Sequence, residues 1–319
     1  MRRGWLQEWP SSGAEEGEDH TEWSLMLQRV NATHPSLCPW CSSLGLRDFR
    51  TRALHDGGVD VFEANQAAWD RAAERGNPYA QPVSAEEVAE ARQGRWGIRI
   101  SDTKTLPPDW LGDVVGKRIL CLAGGGGQQG PILAAAGARV VVFDASTGQL
   151  AQDRAVADRE ELEIATVQGD MADLSVFDDE QFDVILNPVS TLFVPELTPV
   201  WSECHRTLIP GGVLITGFLN PDEFAFDSDA LDQRGEFIMR HPLPYIELDT
   251  LSPAEAAARR AAGEMFHFSH TMQAQLGGIL GAGFIITGFF EDRRLESDGN
   301  PISRYLPSCF VVRADRRLP

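Results

Sequence analysis

The chain has 319 residues, of which 28 are Lys or Arg and 47 are Asp or Glu, so its formal net charge is −19. A surface this acidic repels phosphate backbones and anionic lipids, which argues against a nucleic-acid-binding or membrane-surface protein. Hydrophobic residues make up 43% of the chain, and no apolar run approaches the roughly 20 residues that a membrane-spanning helix needs. The length suits one large α/β domain with additions, or two small domains.

Residues 1–60 differ from the rest of the chain. They hold half of the eight tryptophans and an acidic stretch, but no sustained apolar periodicity. We interpret them as a poorly ordered or loosely docked N-terminal extension. The basic start of the chain is not followed by an apolar stretch, so a secretory signal is not expected.

The five cysteines form an odd, sparse set, which is typical of reduced thiols in a cytoplasmic protein. Cys38 and Cys41 have the spacing of a CxxC pair, but a second such pair is absent. We interpret the two as incidental thiols and predict no metal site, with a structural zinc ion or a redox dithiol as the alternatives.

Residues 61–110 form a predicted helical segment that we interpret as a lid. Residues 62–74 read as one helix, and Ser84 with Glu87 forms a capping box that opens a second helix, which ends at Gly94. Tyr79 and Trp96 are candidates for covering a cofactor in this lid, although both could instead be core aromatics.

Residues 111–319 form a predicted α/β domain with a doubly wound, seven-stranded, mostly parallel sheet. Near-continuous apolar runs alternate with helical segments, which indicates parallel strands covered on both faces. A helix is predicted over residues 271–280, and the last two strands over 284–290 and 308–313.

The connection between the last two strands decides whether they are parallel, because a parallel crossover needs about a dozen or more residues and usually a helix. The segment between these two strands is polar and contains Gly299, Pro301 and Pro307. A hairpin, and so one antiparallel C-terminal strand, is therefore expected. The other predicted strands are residues 118–123, 139–143, 162–167, 182–186 and 212–218.

A glycine turn, residues 123–130, connects the first of these strands to a helix. Glycines let the backbone bend sharply and approach a ligand closely. Asp144 ends the next strand, where a carboxylate can accept both ribose hydroxyls of an adenosine. Gly125, Gly127 and Gly130 also match the dinucleotide pattern GxGxxG. The turn and the acid therefore predict an adenosine-containing cofactor, either a nicotinamide dinucleotide or another.

Five segments resemble, in order and spacing, the motifs of class I S-adenosylmethionine-dependent methyltransferases. The resemblance covers about residues 110–220, and the terminal hairpin is also a hallmark of that fold. It implies S-adenosylmethionine as the cofactor and a set of residues that contact it. For Asp144, Asp170 and Asn187, a purely structural role in a helix cap or a turn remains an alternative. The five segments are residues 119–127, 140–146, 168–171, 182–188 and 205–213. The implied contacts are Ala123, Gly124, Gly125, Gly127, Gln128, Asp144, Ala145, Ser146, Gly169, Asp170, Met171, Asn187 and Pro188, with Tyr79 and Trp96 from the lid.

The chain departs from the family at two positions in the first motif. Cys121 stands where the family often carries an acid that steadies the methionine end of the cofactor, so water or backbone must make that contact. Ala123 replaces the first glycine. The pair Asn187 and Pro188 is too short a match to assign a nitrogen acceptor.

Methyl transfer from a sulfonium is an in-line displacement, in which the protein mainly positions the acceptor and excludes water. We expect residues 220–269, an insert rich in aromatic side chains, to shape the acceptor site, although they could equally form an ordinary insert core. His267, His270 and His241 are the candidate general bases. The sequence thus predicts a cytoplasmic enzyme that methylates a small-molecule acceptor. The alternatives are an NAD(P)-dependent oxidoreductase and a cofactor-binding module without turnover.

Overall fold

The computed structural model describes residues 59–77, 80–295 and 301–318, so residues 1–58 of the predicted extension, Tyr79 and the Cys38–Cys41 pair lie outside the described residues. One seven-stranded sheet, with the strand order β3-β2-β1-β4-β5-β7-β6, runs through this part of the chain. Its strands are β1 Arg118–Leu122, β2 Arg139–Asp144, β3 Ile164–Gln168, β4 Phe182–Asn187, β5 Leu208–Leu219, β6 Phe284–Asp292 and β7 Cys309–Arg316.

Strands β1 to β5 are parallel to one another, and β7 runs antiparallel between β5 and β6. The predicted seven-stranded, mostly parallel sheet with one antiparallel C-terminal strand is therefore confirmed. Because both faces of the sheet are covered, the central strands are apolar throughout. In β1 and β2, four consecutive residues of each strand are buried.

Helices cover both faces of the sheet and form the N-terminal segment and the insert. The predicted capping box is present, because Ser84 and Glu87 bond each other's backbone N–H at the start of α2. The predicted helix over 271–280 begins with a π turn at Gln273–Gly277. The α-helices are α1 Val61–Glu74, α2 Ala85–Arg92, α3 Pro108–Leu111, α4 Gln129–Ala135, α5 Thr147–Glu160, α6 Thr198–Thr207, α7 Ser228–Arg234, α8 Glu247–Thr250, α9 Pro253–Ala262 and α10 Gly278–Gly281.

The later part of the predicted lid packs into the main core rather than lying over it. Ile98, Ile100, Leu106 and Trp110 are buried in one hydrophobic cluster with residues of β1, β2 and β4. This segment covers the sheet because β1 and its neighbours would otherwise expose an apolar face. Trp110 also contacts Phe290 of β6, with their ring centroids 5.4 Å apart. The boundary between lid and catalytic domain at residue 110 stays a prediction.

Candidate cofactor and acceptor site

The turns that follow β1, β2, β3 and β4 meet at the carboxyl edge of the sheet. The backbone N–H of Ala123 donates to the carbonyl of Phe143 over 2.7 Å, and that of Gly169 donates to the carbonyl of Asp144 over 3.1 Å. Ligands of open α/β sheets bind at this edge, outside the ends of the strands. The structure therefore brings together four of the predicted contact segments, residues 123–128, 144–146, 169–171 and 187–188.

Asp144 holds the glycine turn against the end of β2. Its Oδ2 accepts a hydrogen bond from the N–H of Gly125 over 3.0 Å, and its Oδ1 accepts one from the N–H of Ser146 over 2.9 Å. Burial of the carboxyl group raises the pKa of Asp144 to about 6, against the lowering effect of these two N–H groups. Ser146, and not Asp144, caps α5, since its Oγ accepts from the N–H of Gln149. The acid is thus available for the predicted ribose contact.

The shape of the glycine turn fits the predicted cofactor. A Cβ atom on Gly125 would lie 2.7 Å from Cβ of Gln149 and 3.1 Å from Oδ2 of Asp144, so a side chain has no room there. Gly126 and Gly127 have φ values of 114° and 71°, which favour glycine. A backbone free of side chains beside a strand-end carboxylate is what close approach of an adenosine requires.

The two departures in the first motif have different consequences. Ala123 adopts φ 48°, in the left-handed region, so it keeps the turn that the glycine of the family would make. Cys121 is fully buried within β1. Burial raises the pKa of its thiol, which is therefore protonated and offers no charge to a cofactor.

Asp170 caps a turn, which agrees in part with the alternative that it has only a structural capping role. Its Oδ1 accepts a hydrogen bond from the N–H of Ala172 over 2.9 Å, and no helix begins there. The neighbouring Met171 is buried, with its sulfur 3.8 Å from Oγ of Ser190. The adenine contact of Asp170 stays a prediction.

Asn187 is fully buried and braces the sheet, and its cofactor contact stays a prediction. Its Nδ2 donates to the carbonyl of Leu122 and to Oγ of Ser190, over 2.9 and 2.8 Å. Its Oδ1 accepts from Oγ1 of Thr216 over 2.9 Å. Asn187 therefore ties the ends of β1, β4 and β5 together, which leaves the partly exposed Pro188 as the residue of this pair at the surface.

The segment before α2 crosses the glycine turn. The N–H of Val83 donates to the carbonyl of Gly127 over 2.9 Å, and Nε2 of Gln128 donates to the carbonyl of Gln81 over 3.2 Å. Trp96 packs partly buried against the main core and borders a cleft of about 620 Å³ that also touches Gln128. Its proposed lid role and its core role are thus both compatible with its position.

His267, one of the three candidate bases, forms a pair with Glu247. Nδ1 of His267 is 3.1 Å from Oε2 of Glu247, which also accepts the backbone N–H of His267 over 3.0 Å. Oε1 of the buried Glu247 pairs with Nη2 of Arg259 over 2.9 Å. The imidazole also contacts the ring of Phe193, with the two centroids 5.6 Å apart, and Phe193 in turn contacts Trp69 at 5.2 Å.

The other two histidines have different surroundings. Nε2 of His270 lies 3.0 and 2.9 Å from the carbonyls of Thr191 and Val194, and burial lowers the pKa of this histidine. Its ring therefore braces the turn after β4. His241 contacts the ring of Tyr245 at 4.9 Å, half-buried in the insert.

Helix α1 contacts both the turn after β2 and the backbone around Phe193 and Phe266. Oδ1 of Asp70 accepts from Oγ of Ser146 over 2.6 Å and from the N–H of Gly148 over 2.9 Å. Nδ2 of Asn65 donates to the carbonyls of Phe193 and Phe266, each over 3.0 Å. Sequence reasoning missed both residues, since neither belongs to a motif.

Sequence reasoning also missed Asp153, a buried acid on α5. Its Oδ2 accepts a hydrogen bond from the N–H of Gly126 over 2.9 Å, inside the glycine turn. Burial raises the pKa of Asp153 to about 7, and the N–H groups of Gly127 and Gly126 oppose that rise. The only signal in the sequence is an acid in the middle of a largely polar helix, and such an acid is usually solvated.

Lowering the pH from 8 to 5 is expected to stabilise the protein through Asp153. Its folded-state pKa of about 7 exceeds the value of about 3.9 in an unfolded chain, so the folded state binds this proton more tightly. The stabilisation is therefore present at low pH and is lost as the pH rises through about 7. Urea unfolding at both pH values should show a gain on the order of 2 kcal/mol at pH 5, relative to an Asp153→Asn variant. The same pH dependence in both proteins would show that Asp153 ionises as it does in the unfolded chain.

Within its described residues, the chain has no helix that is long and apolar enough to cross a membrane. The same residues contain no group of three or more His, Cys, Asp or Glu side chains that could hold a metal ion.

Comparison with known proteins shows the family of the chain. Residues 120–216 match the model of a methyltransferase domain. The chain is 45% identical over 229 residues to an uncharacterized methyltransferase, YbaJ, of Bacillus subtilis. The matched region covers 72% of this chain and 89% of that protein. It is 31% identical over 179 residues to a ubiquinone biosynthesis O-methyltransferase of Dinoroseobacter shibae, which covers 55% of this chain and 68% of that one. A crystal structure of an S-adenosylmethionine-dependent methyltransferase from Mesorhizobium loti shares the fold, with a TM-score of 0.50, 19% identity, and coverage of 65% of this chain and 94% of that chain.

The similarity to YbaJ spans nearly the whole of that relative and includes the glycine turn and the strand ends described above. The oxidoreductase alternative is thus wrong, and S-adenosylmethionine is the cofactor. This chain is a member of the class I S-adenosylmethionine-dependent methyltransferases.

Proposed function

We propose that the enzyme methylates a small-molecule acceptor that loses a proton during the reaction, with His267 as the general base. The observation that carries this proposal is the pairing of Nδ1 of His267 with the buried carboxylate of Glu247. A carboxylate at Nδ1 fixes the tautomer that has its proton on Nδ1 and leaves Nε2 free to accept one. The pairing of Glu247 with Arg259 holds the carboxylate in place.

The position of His267 supports this role. Its ring contacts Phe193, which belongs to the short helix Thr191–Phe193 directly after β4. The carboxyl end of β4 is part of the ligand-binding edge of the sheet. His267 therefore lies near the place where the acceptor would meet the cofactor, with Phe193 and Trp69 as apolar surface for an organic molecule.

S-adenosylmethionine supplies an already activated methyl group. The remaining work falls to the residues of the chain, which orient the acceptor, exclude water and take its proton. Nε2 of His267 would take the proton from an acceptor hydroxyl, and the carboxylate of Glu247 would stabilise the imidazolium that forms. His270 is less suited to this role because its Nε2 faces two carbonyls.

Two properties support a small acceptor. The net charge of −19 disfavours a nucleic acid. One relative is named as an O-methyltransferase of ubiquinone biosynthesis, a name that describes methyl transfer to an oxygen atom. We also place the enzyme in the cytoplasm, because Cys121, Cys204 and Cys309 are buried free thiols.

A screen for release of S-adenosylhomocysteine tests the proposal. Phenols should be turned over, and the matched methyl ethers of the same phenols, which have no proton to lose, should not. Thiols, amines and carboxylic acids complete the panel. Turnover confined to carboxylic acids, which are already ionised at neutral pH, would contradict a role for a base.

A further inference from the structure

Two carboxylates hold successive N–H groups of the glycine turn. Oδ2 of Asp144, at the end of β2, lies 3.0 Å from the backbone nitrogen of Gly125. Oδ2 of Asp153, on α5, lies 2.9 Å from that of Gly126. The turn is therefore held from the strand by one acid and from the helix by the other. Only Asp144 lies at the position expected for a cofactor contact.

Asp153 is fully buried, and although the N–H of Gly127 also favours its charged form, only its Oδ2 makes a well-aligned hydrogen bond. Oδ1 of Asp153 and both amide atoms of Gln149 are buried without a hydrogen bond. They lie against the turn: a Cβ atom on Gly130 would come within 3.3 Å of Oδ1 of Asp153, and one on Gly126 within 2.8 Å of Oε1 of Gln149. Most buried polar groups are paired, so unpaired ones gathered behind a ligand-binding turn call for a functional explanation.

Asp153 also acts on the strand position where an acid is missing. Burial and the charge of Asp153 together raise the pKa of the Cys121 thiol, so the two side chains are electrostatic neighbours. When it is ionised, Asp153 therefore puts on α5 a negative charge that the neutral Cys121 does not supply from β1.

We propose that Asp153 is a positioning residue of the cofactor site, whose ionised carboxylate holds the N–H of Gly126 and so fixes the glycine turn in the conformation that receives the cofactor. An ionised acceptor binds an N–H group more strongly than a neutral one. The affinity for the cofactor therefore depends on the ionisation of Asp153, although Asp153 does not touch the cofactor.

The groups that face Asp153 determine the pH range of this effect. Asp144 disfavours its ionisation and Arg154, on the same helix, favours it, while Cys121 of β1 stays neutral. Burial is the largest influence and raises the pKa of Asp153 to about 7. The pKa of Asp144 is about 6, and Asp70 of α1 contributes to that rise. The positioning effect should therefore fade between pH 8 and pH 6.

Calorimetric titration with S-adenosylhomocysteine at pH 8 and pH 6 tests the proposal. The wild-type affinity should fall by about five- to tenfold over this range, because most of Asp153 and about half of Asp144 become protonated. Asp153→Asn keeps an acceptor oxygen and the size of the side chain but cannot ionise. This variant should bind about tenfold more weakly than the wild type at pH 8. Between pH 8 and pH 6 the affinity of this variant should fall by no more than about twofold, because only Asp144 then becomes protonated.

Asp158→Asn is the matched control, since it removes the same charge from an exposed position on the same helix. It should leave both affinities unchanged. A wild-type affinity that is the same at pH 8 and pH 6 would overturn the proposal without any variant. An Asp153→Asn variant that keeps the wild-type pH profile would also overturn it. Both results concern binding alone, so they are independent of the role of His267.

Discussion

Replacing Gly125 with valine is expected to weaken the binding of S-adenosylhomocysteine by at least about 100-fold, or roughly 2.7 kcal/mol. A Cβ atom at this position would lie 2.7 Å from Cβ of Gln149 and 3.1 Å from Oδ2 of Asp144. The added side chain must therefore push the turn and its carboxylate apart. Calorimetry with the purified variant measures the loss, and circular dichroism checks that the sheet is intact.

Gly281→Val provides the control for this substitution. Gly281 ends α10, and a Cβ atom there would meet no heavy atom within 4 Å. The same change in side chain should then leave the affinity for S-adenosylhomocysteine unaltered. If Gly125→Val bound as tightly as Gly281→Val, the cofactor would have to lie away from the glycine turn.

The sequence could predict which residues of the site lie next to one another at the ends of neighbouring strands. The run of apolar residues before Gly124 and before Asp144 indicates two parallel strands, and parallel strands end at the same edge of the sheet. The glycine turn and Asp144 therefore had to be neighbours, as the hydrogen bond from Gly125 to Asp144 shows. The C-terminal hairpin was predictable from the sequence after β6, because a polar segment with Gly299, Pro301 and Pro307 does not favour the helix that a parallel crossover usually needs.

The contacts that could not be predicted join elements that are far apart in the sequence. Glu247 reaches His267 because an isolated bridge pairs Ile246 with Phe268, and no local pattern announces such a bridge. Asn187 is drawn into the core by Thr216 of β5, a partner that depends on the strand order. A strand-end Asn that lines a ligand and one that braces a sheet have the same sequence signature, so only the three-dimensional arrangement separates the two roles.

Asp153 illustrates the same limit for a buried charge. Its helix carries polar residues on most of its surface, and an acid in such a helix is usually exposed. What buries Asp153 is the glycine turn itself, which lies against α5 because its residues have no side chains: Gly130 approaches both Asp153 and Val142. The glycine turn, which indicates ligand binding in the sequence, is thus also the element that buries Asp153.

Replacing His267 with asparagine is expected to reduce methylation of a hydroxyl acceptor by about 10²- to 10⁴-fold, the usual contribution of a general base. Asparagine keeps a similar size and can still bond Glu247, but it cannot take a proton. The affinity for S-adenosylhomocysteine should not change if His267 acts on the acceptor, as we propose.

Three further variants separate catalysis from structure in this experiment. Glu247→Gln keeps the side-chain volume but removes the charge that would stabilise the imidazolium, so it should lower the rate less than His267→Asn does. His270→Asn removes a donor from the carbonyls of Thr191 and Val194, so it should lower the melting temperature more than the rate. His241→Asn should keep the rate within about threefold, which is well below the effect of losing a base. If His267→Asn also stayed within that threefold range, positioning would account for the whole rate, and the acceptor would have to be a group already ionised at neutral pH, such as a carboxylate.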